Sequence, residues 1–248
     1  MENIRLFKEK GADMGLVSLA ENTLEIPALP YPDTLPEGLF VKVGSYGITL
    51  EEGGRALRGD FVWLYSRTYP NRLNSESLIK ACRVRNIQNP TAVDATAGLG
   101  EDAFLLAAYG FKVTLFEQDP VIFLLLYDAL KRGLAVPFLK DIISRMELFN
   151  KDSIKALPHL NFSPDVVFLD PMFPERKKSG LIKKKFQLLH FLEKPCENEQ
   201  ELLSAALCCS PSKIVVKRPL KAPFLGNMKP SFQIKGSTIR YDCLIPRP

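Results

Sequence analysis

The stretch Val93-Asp94-Ala95-Thr96-Ala97-Gly98-Leu99-Gly100 decides how this chain reads. A short apolar run, Thr91 to Ala95, leads into two glycines one residue apart, and Glu101 to Tyr109 then carries an apolar pattern with no breaker. That is a strand turning directly into a helix. Gly98 and Gly100 permit a tight turn and a close approach of backbone to ligand, since neither carries a Cβ. A helix opening at Glu101 offers unpaired N–H groups to whatever sits there. The next strand, Lys112 to Glu117, ends in a carboxylate 17 residues after Gly100. From that position it can accept hydrogen bonds from both hydroxyls of a ribose.

Outward from this turn, strand and helix patterns alternate. Pro120 opens a helix over Val121 to Arg132, Pro137 to Arg145 is a further helix, and Met146 to Asn150 a strand. Asp165 to Leu169 and Lys213 to Lys217 are apolar strands, and Phe232 to Lys235 with Thr238 to Ile245 close the chain as a hairpin-like pair. Strands alternating with helices imply right-handed crossovers and a mainly parallel sheet. The fold class predicted is α/β, Rossmann-like, with an antiparallel edge. Residues 1–75 read differently, as a small β-rich N-terminal portion; residues 76–248 form the main domain. In the small portion Leu39 to Leu50 reads as a hairpin and Asp60 to Tyr65 as a short strand.

Composition narrows the function classes. The 248 residues are 46% apolar and 25% charged, ordinary for a globular chain that builds its core without staples. The net charge of +5 is a mild basic excess, compatible with a nucleic-acid partner. The five cysteines are odd in number and none is spaced C-x-x-C, so reduced, buried thiols are expected. No signal-peptide pattern opens the chain and the longest apolar run, Val121 to Tyr127, is too short to span a membrane. A soluble cytosolic protein is the expectation.

Two cofactors suit the glycine turn. With Ala103 in the third small position it satisfies the loose dinucleotide pattern G-x-G-x-x-G/A. Glu101 and Asp102 stand immediately after the loop, however, where they repel a pyrophosphate. They suit S-adenosylmethionine, which carries an amino group and a sulfonium. Asp94, Gly98, Gly100, Glu101, Asp102 and Glu117 are the candidate cofactor residues from this turn. Asp152 and Ser153 follow the third strand of the series, where Asp152 either accepts from the adenine amine or caps the helix from Ile154.

Asp170-Pro171-Met172-Phe173-Pro174 follows the fourth strand and faces the same crevice. This turn resembles the [DNS]-P-P-[FYW] motif of methyltransferases that act on exocyclic amines. The nitrogen of such an amine is conjugated with its ring and is a poor nucleophile. Hydrogen bonds from it to the Asp170 carboxylate and the Pro171 carbonyl free its lone pair, while Phe173 stacks on the base. Asp170, Pro171 and Phe173 are the candidate catalytic residues, with Asp170 also bordering the cofactor. Arg176, Lys177, Lys178, Lys183, Lys184 and Lys185 come next, and Lys217 and Arg218 end the fifth strand. These eight cations are the candidate phosphate-backbone footprint. His159 and His190, the only histidines, have no metal-ligand partner at sensible spacing. No metal is expected.

The segments VDATAGLGEDAF (93–104), LFEQDP (115–120), VVFLDPMFPERKKSGLIKKK (166–185) and VVKRP (215–219) closely resemble the bacterial ribosomal RNA small subunit methyltransferase J family. The resemblance covers about residues 39 to 245. It implies methyl transfer from S-adenosylmethionine to the N2 of a guanosine in small-subunit (16S) ribosomal RNA. It also implies cofactor contacts at Glu101-Asp102, Glu117-Gln118, Asp152-Ser153 and Asp170. The chain departs from the family at Glu101 and Gln118, where a basic residue is usual, and at Ser66 to Asn74, which replaces a basic, glycine-rich linker. A nicotinamide-dependent oxidoreductase on the same sheet, or a non-catalytic RNA-binding protein, are the competing classes.

Overall fold

The computed structural model describes residues 4–171, 188, 192 and 198–246. Phe173, Arg176, Lys177, Lys178, Lys183, Lys184, Lys185 and His190 lie outside the described residues.

Two sheets carry the fold. The smaller comprises β1 (Arg5–Lys8), β2 (Leu29–Pro30), β3 (Phe40–Gly44), β4 (Gly47–Glu52) and β5 (Arg55–Leu57), in the order β2-β1-β3-β4-β5. The predicted hairpin is β3–β4, which pairs Gly44 with Gly47 around a two-residue tip. At Gly47 φ is +108°, and a Cβ there would lie 2.4 Å from Asp128 Oδ1, so glycine is required at this contact. Between β1 and β2 runs a helix absent from the sequence reading, α1 (Met14–Leu24), whose first turn is capped by Asp13 accepting from Gly15 N at 2.8 Å.

The segment predicted as a strand at Asp60 to Tyr65 is helical instead. Val62–Arg67 forms a 3-10 helix, followed by α2 (Pro70–Leu73) and α3 (Ser77–Cys82). Asp60 Oδ1 accepts from Val62 N at 2.8 Å, which starts the turn. Phe61 and Leu64 are buried while Val62 and Trp63 face water. The pattern thus has the spacing of a tight helix rather than a strand's alternation. Phe61 stacks on Phe104 with ring centroids 5.0 Å apart, and Leu64 and Leu73 join the same core. Residues 61–73 thereby share the core of the larger sheet.

That sheet contains β6 (Thr91–Asp94), β7 (Lys112–Phe116), β8 (Met146–Phe149), β9 (Val166–Leu169), β10 (Lys213–Pro219), β11 (Phe232–Lys235) and β12 (Ile239–Leu244). Their order is β11-β12-β10-β9-β6-β7-β8. The five strands from β8 to β10 are parallel, and β12 pairs antiparallel with β10 and β11. All four residues of β9 are buried, as expected of a central parallel strand covered on both faces. Between them run α4 (Glu101–Tyr109), α5 (Pro120–Leu134), α6 (Pro137–Ile143) and α7 (Ser153–Ala156); a further helix spans Glu199–Cys208.

Helix α5 joins the two sheets. Leu126, Ala129 and Leu130 pack in the core of the large sheet, and Val121 to Leu125 in that of the small one. Burial on both sides explains the continuous apolar run Val121 to Leu126. Among the described residues no helix is long and apolar enough to cross a membrane. Cys82, Cys209 and Cys243 are buried free thiols, whereas Cys208 is exposed rather than buried.

Candidate functional site

The strand order reverses between β6 and β9: the chain proceeds from β6 outward to β7 and β8, then returns to β9 on the other side. In an open α/β sheet such a reversal leaves a crevice at the carboxyl ends of the strands. Here Ala95 N donates to Phe168 O at 3.1 Å and Ala97 N to Phe116 O at 3.1 Å, so the loop after β6 is fastened to both neighbouring strands. Asp94 is buried beneath this loop, where it accepts from Thr96 N at 3.1 Å. Burial, reinforced by the negative charge of Asp102, pushes its carboxyl up to about 8.

The two glycines serve different ends. Gly98, at φ +53°, has open space where a Cβ would project, and its N–H donates to Glu117 Oε2 at 2.8 Å. Gly100, at φ +74°, is pressed against α5: a Cβ would lie 2.7 Å from Leu126 Cδ1. Gly98 faces the crevice and Gly100 lets α4 settle on the core.

Glu117 ends β7 and closes the loop. Its Oε1 accepts from Asp119 N and its Oε2 from Gly98 N, both at 2.8 Å. Each oxygen keeps a second lone pair. Burial pushes the Glu117 carboxyl up to about 7, against the pull of the Asp119 and Gly98 N–H groups. A carboxyl raised in this way binds more protons folded than unfolded. The ligand-free fold therefore loses stability as pH rises from the usual glutamate range to about 7.

On the other side of the crevice, Asp170 follows β9 and its N–H donates to Thr96 Oγ1 at 2.7 Å. Its carboxylate Oδ2 lies 2.8 Å from Lys217 Nζ, which also meets Asp102 Oδ2 at 2.6 Å. Burial pushes the Asp170 carboxyl up from its usual range, against the attraction of Lys217. Thr96 and the bridging role of Lys217 escaped the sequence reading. Thr96 lies inside the quoted motif, but nothing in the sequence pairs it with residue 170.

Two expected phosphate contacts are placed elsewhere. Lys217 turns inward to the two acids of the crevice. The Arg218 side chain is fully buried, its guanidinium on Glu199 at 2.8 and 2.9 Å. Successive residues of a strand point to opposite faces, so both cannot line one surface. Asp152 caps α7, accepting from Ile154 N at 3.0 Å, with Lys155 at 3.6 Å; Ser153 is buried and Gln118 exposed.

Comparison with known proteins identifies the family. The family described as putative SAM-dependent methyltransferase matches residues 51–246. Ribosomal RNA small subunit methyltransferase J of Thioalkalivibrio sulfidiphilus is 40% identical over 205 residues, 81% of this chain and 80% of that one. The protein of the same name from Cellvibrio japonicus is 38% identical over 237 residues, 90% of this chain and 89% of that one. The chain belongs to the ribosomal RNA small subunit methyltransferase J family. A SAM-dependent methyltransferase of Neisseria gonorrhoeae has a crystal structure that superposes with a TM-score of 0.77 at 28% identity, covering 98% of this chain and 96% of its own.

The cofactor of this methyltransferase family member is S-adenosylmethionine, and the residues present fit it. Glu117, Asp152 and Asp170 follow β7, β8 and β9 and Asp102 stands in the first turn of α4, while Asp94, at the end of β6, lies buried beneath the loop rather than facing the ligand. A donor set so rich in carboxylates suits a ligand with a sulfonium, an ammonium and ribose hydroxyls. It opposes a pyrophosphate, which sets the nicotinamide reading aside. Glu117→Ala is expected to weaken S-adenosylmethionine binding at least about tenfold, since a hydrogen bond to a charged group contributes roughly 1.5–3 kcal/mol. The same change releases the Gly98 turn. If Glu117 holds the ribose, only its ionised form could accept from both hydroxyls. Cofactor binding should then release a proton near neutrality, and affinity should fall as pH drops through about 7. Calorimetry in buffers of different ionisation enthalpy measures that proton; none released just below neutrality would move the ribose away from Glu117.

Proposed function

We propose that the protein transfers a methyl group from S-adenosylmethionine to the exocyclic N2 of a guanosine in small-subunit ribosomal RNA. The observation that carries this reading is the position of Asp170-Pro171 at the end of β9, with the Asp170 main chain fixed on Thr96 and its carboxylate at the crevice. The relatives named as small-subunit rRNA methyltransferases support the RNA substrate.

When bound, S-adenosylmethionine supplies an electrophilic methyl group on a sulfonium. The chain's part is to orient and polarise the amine. Asp170 accepts a hydrogen bond from the guanine N2 amino group and the Pro171 carbonyl accepts the other. Both bonds oppose conjugation of the nitrogen with the ring. Guanine N2 is scarcely acidic before attack and becomes so once methylated, so Asp170 need not act as a strong base. Positioning and fixed charge then account for most of the rate. Phe173 holds the base by stacking, and the lysines 183–185 with Arg176, Lys177 and Lys178 hold the RNA backbone.

Mass mapping of small-subunit rRNA from a strain lacking this protein tests the reading. The expected result is loss of one methyl group from a guanosine N2, restored by the wild-type gene. An unchanged methylation map would sink it. RNA binding without affinity for S-adenosylmethionine would favour a non-catalytic binder.

A further inference from the structure

Lys217 sits near the end of β10, among residues whose charges do not balance. Its ammonium contacts Asp102 Oδ2 at 2.6 Å and Asp170 Oδ2 at 2.8 Å. One cation therefore serves two carboxylates, and the trio carries a net charge of about −1. Burial works to discharge the lysine, but the two acids outweigh it and hold it protonated. An ammonium has three N–H donors; Asp102 and Asp170 take two of them among the described residues. The side chain is 24% exposed, so the remaining donor is within reach of the crevice.

This inference rests on the crevice being the cofactor site. If the ribose sits at Glu117 after β7 and the adenine on the Asp152 side after β8, the methionine end lies on the other side, past the Gly98 turn toward β9 and β10. That end is a zwitterion: an ammonium and a carboxylate on one carbon. It requires an acid and a base side by side, and no part of the glycine loop supplies the base. We infer that Lys217 receives the α-carboxylate of S-adenosylmethionine while Asp102 receives its α-ammonium. The charges then close. Two carboxylates and a lysine from the protein meet an ammonium, a carboxylate and a sulfonium from the cofactor, with a sum of zero. Lys217 thus selects for an intact amino-acid end, a role different from a contact with RNA phosphate.

Calorimetry with three ligands tests this: S-adenosylhomocysteine, its decarboxylated analogue, and 5′-methylthioadenosine, which lacks the whole amino-acid end. Wild-type protein should bind S-adenosylhomocysteine at least about tenfold more tightly than the decarboxylated analogue. Lys217→Met should abolish that preference and leave 5′-methylthioadenosine affinity within about twofold of wild type, while Lys217→Arg should restore much of it. Equal wild-type affinity for the acid and its decarboxylated analogue overturns the inference, whatever the folding of the variants. So does a Lys217→Met protein that keeps the preference, or one that loses all three ligands equally while remaining folded. Failure of wild-type protein to bind 5′-methylthioadenosine together with S-adenosylhomocysteine is a separate outcome, which removes the cofactor site from the crevice altogether.

Discussion

Asp170→Asn is expected to lower the rate of methyl transfer by about 10²-fold or more, the scale of losing one preorganised polar contact at a reacting centre. The substitution keeps the shape of the side chain and one acceptor oxygen but removes the charge proposed to polarise the amine. Its main-chain N–H still reaches Thr96 Oγ1, so the turn after β9 stays in place. Lys217 keeps Asp102 as a partner. RNA binding should change little. Cofactor binding should fall somewhat if Asp170 borders the methionine end, so the rate is read in a single turnover at saturating cofactor. His159→Ala should leave that rate intact, since His159 lines a groove with Phe116, Phe149 and Asp152 beside β7, β8 and α7, and the proposed chemistry at Asp170 calls for no histidine. A near wild-type rate for Asp170→Asn, or abolition by His159→Ala in a folded protein, would overturn this mechanism.

Where a residue's role follows from its neighbours along the chain, the sequence announces it. The turn from β6 into α4 was legible because two glycines between an apolar run and a helical pattern have few other uses. The parallel sheet was legible because continuous apolar runs such as Val166 to Leu169 recur between helices. Asp60 to Tyr65 misled because β-branched and aromatic residues favour strands, whereas the Asp60 turn and burial of Phe61 and Leu64 three residues apart made a 3-10 helix. α1 did leave a signal: Asp13 as cap, then Leu16, Val17 and Ala20 on one buried face. Lys217 and Asp102 are 115 residues apart. Their bridge depends on how β10 lies beside β9, and only the folded chain brings them together.

Arg218 provides the sharper contrast with a surface reading. A cation in a basic stretch at the end of a strand invites assignment to RNA phosphate, yet its side chain has no exposure to solvent. Both guanidinium ends bind Glu199, and Nε donates to Pro223 O at 3.2 Å. The pair ties β10 to the start of the helix Glu199–Cys208. Removing one member of a buried pair strands the other, which typically costs about 3–5 kcal/mol. Glu199 is itself a quarter exposed, so water relieves part of that cost. Glu199→Ala, which leaves the guanidinium buried without this carboxylate, is therefore expected to lose about 3 kcal/mol, the lower end of that range. At about 2–4 °C per kcal/mol for a chain of this size, the melting temperature should fall by roughly 6–12 °C. Arg218→Met should cost less, because the carboxylate left behind can turn to water while the methionine fills most of the space. Below its melting temperature Arg218→Met should show the wild-type salt dependence of RNA binding. A lost phosphate contact would instead reduce the slope of log K against log salt by about 0.7–0.9. Thermal unfolding and salt titration of the same variant separate the two roles: unchanged stability with a flatter slope would return Arg218 to the RNA surface.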